Sequence, residues 1–87
     1  MNRLIGFEQG TGYKKYNALI LTFAQGAGKI KKIPFGDRRY QQYHDKIGLY
    51  SHLDHNDEIR RLNYKKRHKN DKLNEFSPGY FSWHYLW

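Results

Sequence analysis

The sequence predicts a small α+β domain: a β-hairpin, with a third strand or an extended arm from residues 1–12, packed on two or three short helices. Three observations predict it. Residues 13–23 and 29–35 alternate in the strand manner on either side of a glycine-containing loop. Two later segments open with helix-cap residues. The chain is 87 residues long, so it forms one domain, 1–87. A domain of this size buries only about 60–65% of the surface its unfolded chain exposes. That leaves little room for an internal catalytic cavity.

The elements follow in order. Tyr13 to Phe23 reads as a strand with Tyr16, Ala18, Ile20 and Thr22 on one face and Asn17, Leu19, Leu21 and Phe23 on the other. Ala24-Gln25-Gly26-Ala27-Gly28 is the loop, since glycine tolerates positive φ. Lys29 to Phe35 is the second strand, with Ile33 and Phe35 on one face. Pro34 cannot donate to a ladder, which places this strand at an edge. Gly36-Asp37 reads as a break and an N-cap, and Tyr40, Tyr43 and Ile47 then fall at helical spacing before a stop at Gly48. A second helix is expected from Asp57 to His68, with Asp57 and Glu58 at the favourable end of the dipole. Lys69 to Phe76 is polar and reads as a loop. Ser77-Pro78 is a cap followed by a first-turn proline, and Tyr80 to Trp87 form the last helical segment. The expected core is Leu19, Leu21, Phe23, Ile33, Phe35, Tyr40, Tyr43, Ile59, Leu62, Phe81, Trp83 and Leu86.

Composition narrows the function. Phe, Tyr and Trp number 15 against 14 Ile and Leu, and there is no Val. Disordered chains are poor in aromatics, so this one has the material for a core of flat rings. Lys and Arg number 16 against 8 Asp and Glu, for a net charge of +8. Residues 1–36 carry net +5, 37–58 net −2 and 59–76 net +5, while 77–87 carry no Asp, Glu, Lys or Arg. Such a charge concentrates anions, so nucleic acid, an anionic membrane or an acidic protein surface is the expected partner. No cysteine is present, which excludes disulfides, thiolate metal sites and cysteine nucleophiles. The longest apolar run, Ala18 to Leu21, is far short of the roughly 20 residues of a membrane span.

The candidate chemical motifs are weak. His52-x-x-His55 beside Asp54 and Asp57 gathers ligand-type residues, but nothing in the spacing supplies a full zinc set. Asp54-His55, Asn63 and His68 echo the order of an HNH nuclease at intervals too short for its fold. Gly26-x-Gly28-Lys29 lacks the spacing of a phosphate loop, and a strand follows it. Ser51, Ser77 and Ser82 stand in no nucleophile-elbow context. No catalytic residue, metal or cofactor is therefore assigned, and no enzyme activity is expected.

Several segments resemble a family of small basic proteins of giant DNA viruses that infect algae and amoebae. They are Lys15-Tyr16-Asn17-Ala18, Pro34-Phe35-Gly36-Asp37-Arg38-Arg39-Tyr40, Tyr50 to His55, Arg60 to His68, and Ser77 to Trp87. The resemblance spans roughly residues 14–87 and brings no catalytic residues with it. It implies a viral setting: the virion, or the host cell during infection, as part of a larger assembly.

Together these readings predict a non-enzymatic binder of nucleic acid, double-stranded DNA above all, and a virion component. Lys29, Lys31 and Lys32 of the hairpin, and Arg60, Arg61, Lys65, Arg67 and Lys69 of the basic helix, are the expected contacts to phosphates or to an anionic surface. Tyr85 and Trp87 are the expected partner-binding rings. The alternative is a minor capsid or cement protein whose charge meets acidic capsid surfaces.

Overall fold

Three antiparallel strands and two short helices form the structure, a computed structural model that describes residues 2–24 and 26–87. The strands are β1 (Asn2–Gln9), β2 (Tyr16–Ala24) and β3 (Ala27–Phe35), in the order β1-β2-β3. The helices are α1 (Glu58–Arg67) and α2 (Pro78–Tyr85), with single 3₁₀ turns at Ser51–Leu53 and Asp71–Leu73. The first residues are thus a strand and not an extended arm. Pro34 lies on an edge strand, where its missing N–H costs nothing. The expected five-residue loop is shorter: Ala24 pairs with Ala27 and Phe23 with Gly28, while Gly26 takes φ +79°. Gln25 lies outside the described residues.

Strand β2 buries the face opposite to the one expected, while Phe35 and Ile33 of β3 lie on the core side as expected. Tyr16, Ala18, Ile20 and Phe35 are buried, together with Tyr50, Phe81 and Leu86. Leu19 and Leu21 are only partly covered, and Phe23 is 53% exposed. Both faces of β2 are apolar, so alternation alone does not choose between them. The choice falls to the partners. Tyr16 pairs with Phe35 and Ala18 with Ile33, so these four share a face. A β-bulge in β1 adds to it. Leu4 pairs with Ile20 and Phe7 with Ala18, so one extra residue between Leu4 and Gly6 brings both apolar side chains to the same side. The Phe7 ring then meets Phe35, Phe81 and Tyr85 edge-on at 5.8, 6.1 and 4.7 Å. Phe81 of α2 stacks obliquely on Phe35 at 5.4 Å. Helix α2 closes the core because Ser77 caps it, accepting from Tyr80 N–H at 3.1 Å, and Pro78 fits its first turn.

No helix forms between Gly36 and Gly48, contrary to the periodicity of Tyr40, Tyr43 and Ile47. The backbone donors there are spent on distant partners. His44 and Lys46 N–H donate to Leu86 and Tyr85 carbonyls at 3.0 Å, and Gln42 N–H donates to Leu53 O at 3.2 Å. Tyr40 is 65% exposed rather than part of the core. Side chains supply the remaining order. The buried Asp45 carboxylate accepts from Tyr16 Oη at 2.5 Å, Tyr50 N–H at 2.8 Å and Ile47 N–H at 2.9 Å. Tyr16 Oη in turn accepts from Leu49 N–H at 2.9 Å. Lys15, also buried, donates to Tyr40 O at 2.9 Å and to Gln42 Oε1, and Gln42 Nε2 donates to Tyr50 O at 2.9 Å and to Asp54.

Two expectations follow. Phe81→Ala, which empties a fully buried site, lowers stability by ~3–5 kcal/mol. Trp83→Ala costs clearly less, because Trp83 is half-buried and outside the core in which it was expected. Chemical denaturation of the two variants side by side reads the difference. The second expectation concerns acid. Burial raises the Asp45 pKa, but the Tyr16 hydroxyl and the backbone N–H groups of Gly48, Tyr50 and Ile47 outweigh it and hold the group below its ordinary 3.8. Its contribution to stability is complete above that value and is lost as pH falls through the lower folded one. Asp45→Asn therefore lowers stability at neutral pH and flattens its decline in acid. Denaturation midpoints between about pH 2 and 6 test this.

Candidate nucleic-acid interface

Helix α1 begins where the sequence places it. The Asp57 carboxylate accepts from Ile59 and Arg60 N–H at 3.0 and 3.2 Å. Its orientation is the surprise. Ile59 and Leu62, expected in the core, are 72% and 64% exposed. The inward face is instead Arg61, Tyr64, Lys65 and His68, one helical stripe by its spacing. Each meets an aromatic or polar partner. Tyr64 stacks on Trp87 with centroids 4.2 Å apart and planes at 4°. His68 stacks on the same tyrosine at 4.4 Å. The Arg61 guanidinium lies 4.8 Å from the Tyr43 ring centre and donates to Trp87 O at 2.9 Å. Lys65 Nζ lies 4.6 Å from the Trp83 ring centre. Burial pushes the Tyr64 hydroxyl up to about 12 and the Lys65 amine below its usual range. A helix with few aliphatic side chains thus docks through cations laid on rings.

The sequence-selected cations therefore separate into groups. Arg61 and Lys65 are half-buried docking residues. Arg60, Arg67 and Lys69 are exposed, as is Lys66, which was not selected. Arg60, Asn63 and Arg67 recur at i, i+3 and i+7 and line one cavity of about 300 Å³ with Tyr40, Gln41 and Trp87. A cavity of about 490 Å³ adjoins it and includes Lys14, Lys15, Tyr40, Gln41, Arg67 and Trp87 in its lining. The hairpin lysines lie elsewhere. Lys29 and Lys31 point to the helix-bearing face of the sheet and Lys32 to the other, where it pairs with Glu8 at 3.0 Å. Lys31 borders a separate cavity of about 390 Å³ with Asn2, Thr22, Glu75 and Phe76. The hairpin lysines line none of the cavities bordered by Arg60 and Arg67, whereas Lys14 and Lys15 share the larger one with Arg67.

The two rings selected as partner contacts are engaged within the chain. Tyr85 packs on Phe7, and Trp87 lies between Tyr64 and His55, 5.1 Å from the latter. Both are half-buried. The sequence reading missed the loop residues beside α1. Arg39 is held by two hydrogen bonds to Asp37, at 3.1 and 2.8 Å, and its guanidinium lies 4.3 Å from the Tyr13 and 5.7 Å from the Tyr40 ring centre. The Arg39 hydrogen bonds hold the Asp37 carboxyl down to about 2. The Lys14-Lys15 and Arg38-Arg39 doublets next to tyrosines were the available signal.

Among the described residues no group of three or more histidine or acidic side chains is placed to hold a metal. His52 and His55 are used differently: His55 Nδ1 accepts from Asp57 N–H at 2.9 Å, and the ring stands beside Tyr43 and Trp87. Among the described residues no helix is long and apolar enough to cross a membrane. No protein-family model matches the chain, and no curated protein or solved structure is significantly similar to it.

The docking role of Arg61 predicts that Arg61→Gln lowers stability by ~1–3 kcal/mol, through loss of a charged hydrogen bond to Trp87 O. Lys66→Gln, on the exposed side, leaves the melting temperature nearly unchanged. Thermal melts of the two variants separate docking cations from free ones.

Proposed function

We propose that the protein binds nucleic acid without catalysis, through the phosphate backbone, with duplex DNA as a ligand and little preference for sequence. The observation that carries this is the set of exposed cations along α1 and its C-terminal extension: among the described residues, Arg60, Lys66, Arg67 and Lys69 have no carboxylate within ion-pair distance. Cations without internal anions are available to phosphates, and binding there releases counterions. Lys14 extends the positive surface across the cleft. Lys29 and Lys31 offer a second, separate contact at the hairpin. The setting in a virus particle rests on the sequence resemblance alone.

A second reading has its own support. The face of the sheet away from the helices leaves Phe23 and Ile30 more than half exposed, next to Leu19, Leu21 and Pro34. An apolar sheet face of this kind favours protein contact, and it fits the alternative of a minor structural protein in a capsid.

Retention on duplex DNA tests the main reading. With ~4 phosphates neutralised, log affinity falls against log salt with a slope of about −4. Changing Arg60, Lys66, Arg67 and Lys69 together to Gln keeps the fold, since glutamine is a good helix former, and removes most of the binding. Binding that is absent at low salt, or insensitive to salt, rejects the reading in favour of protein contact.

A further inference from the structure

The cleft between α1 and residues 36–42 has a feature that duplex binding does not use. We propose that it holds unpaired nucleotides of a nucleic-acid strand, with the Tyr40 ring as the stacking platform and Arg60, Arg67 and Lys14 as phosphate contacts. This rests on the nucleic-acid reading above and names the form of ligand that the cleft takes.

Shape is the first argument. The cavities of about 490 and 300 Å³ share Tyr40, Gln41, Arg67 and Trp87, so they form one continuous depression. Each lies within the roughly 300–1,000 Å³ of ordinary small-ligand sites. Paired bases show only their edges in the grooves of a duplex, so a duplex reaches the rim of such a cleft with its phosphates and leaves the interior empty. An unpaired base is narrow enough to enter and has a free π-face.

The second argument is the exposed ring at the junction. Tyr40 borders both cavities and is 65% exposed. Isolated exposed tyrosines are ordinary, but this one is held in place. Asp37 fixes Arg39 with two hydrogen bonds, and Arg39 lies between the Tyr13 and Tyr40 rings. The Tyr40 carbonyl is anchored by buried Lys15. A pre-positioned ring loses little freedom when a base stacks on it.

Charge is the third. Arg60 and Arg67 stand one above the other on the α1 wall, two turns apart, and Lys14 lies in the lining of the larger cavity. Two carboxylates also border the cleft, and both are already engaged. Asp37 is paired with Arg39, and Asp71 lies 3.1 Å from His68 Nδ1 and against Gly79 at the start of α2. The cleft therefore presents net positive charge around an aromatic platform, the combination that tracks single strands.

Fluorescence anisotropy with labelled oligothymidine and a blunt duplex of equal phosphate number, at one salt concentration, tests this. The expected result is tighter binding of the single strand. Tyr40→Ala weakens the single strand roughly tenfold or more and leaves the duplex nearly unchanged. Tyr40→Phe, which keeps the ring, retains the single-strand affinity and so controls for folding. Arg60→Gln with Arg67→Gln weakens both ligands. Equal affinity for the two ligands, or a Tyr40→Ala variant that still binds oligothymidine at full strength, overturns the cleft proposal while duplex binding stands. Failure of the unaltered protein to bind either ligand overturns the cleft proposal and the nucleic-acid reading together.

Discussion

The Asp45 carboxylate, accepting from the Tyr16 hydroxyl at 2.5 Å inside the protein, is the contact on which the rest of the architecture depends. Residues 36–50 contain neither helix nor strand, yet Gln42, Asp45 and Tyr50 among them are buried. Buried backbone groups need partners, and a segment without regular structure must find them elsewhere. Asp45 provides acceptors for Ile47 and Tyr50 N–H, and the tyrosine hydroxyl accepts from Leu49 N–H. Gln42 and Lys15 do the same a few residues away. A carboxylate desolvated in this way is tolerable only because every contact favours its charged form. With those bonds in place, the strand that carries Tyr16 and the segment that carries Tyr40, Gln41 and Tyr43 become one unit. The cleft inherits its near wall from that unit.

Its far wall is α1, and there the same residue types do two jobs. Arg61 and Lys65 lie on rings and hold the helix down. Arg60 and Arg67, one residue before and two residues after that pair, face outward along the cleft. A rotation of 100° per residue is enough to turn a cation laid on a ring into one that faces the cleft, where Arg60 donates to Gln41 Oε1 at 3.0 Å. Charge counts alone therefore overstate the surface available to a polyanion. The aromatic C-terminal segment explains the arrangement: Trp83 and Trp87 supply flat surfaces onto which cationic and aromatic side chains pack with few aliphatic contacts.

The sheet divides the molecule into two chemically different sides. Its helix-bearing side is filled by rings from four elements, and its other side remains apolar and open. On the open side Lys32 is paired with Glu8, and exposed Arg3, opposite Leu21, has no ion-pair partner among the described residues. The cationic cleft and the apolar face are thus chemically distinct surfaces.

Local signals determined much of this protein. The alternation of residues 13–35, the edge-seeking Pro34, the Asp57 cap and the Ser77-Pro78 start all act within a few residues, so the α+β class and both helices were legible in the sequence. The basic helix was legible as well, including Arg60 and Arg67. Three matters were decided only by tertiary structure. Which face of β2 is buried depended on Phe7, Phe35 and Phe81, residues remote in sequence that come together on one side after a bulge in β1. Whether residues 37–47 form a helix depended on carbonyls of Tyr85 and Leu86, some forty residues away, which take the N–H groups a helix would have used. Which cations are free depended on where Trp83, Trp87 and Tyr43 lie. Each is a competition between a local preference worth a few tenths of a kcal/mol to about 1 kcal/mol per residue and long-range partners worth more, and in each the long-range partners prevail.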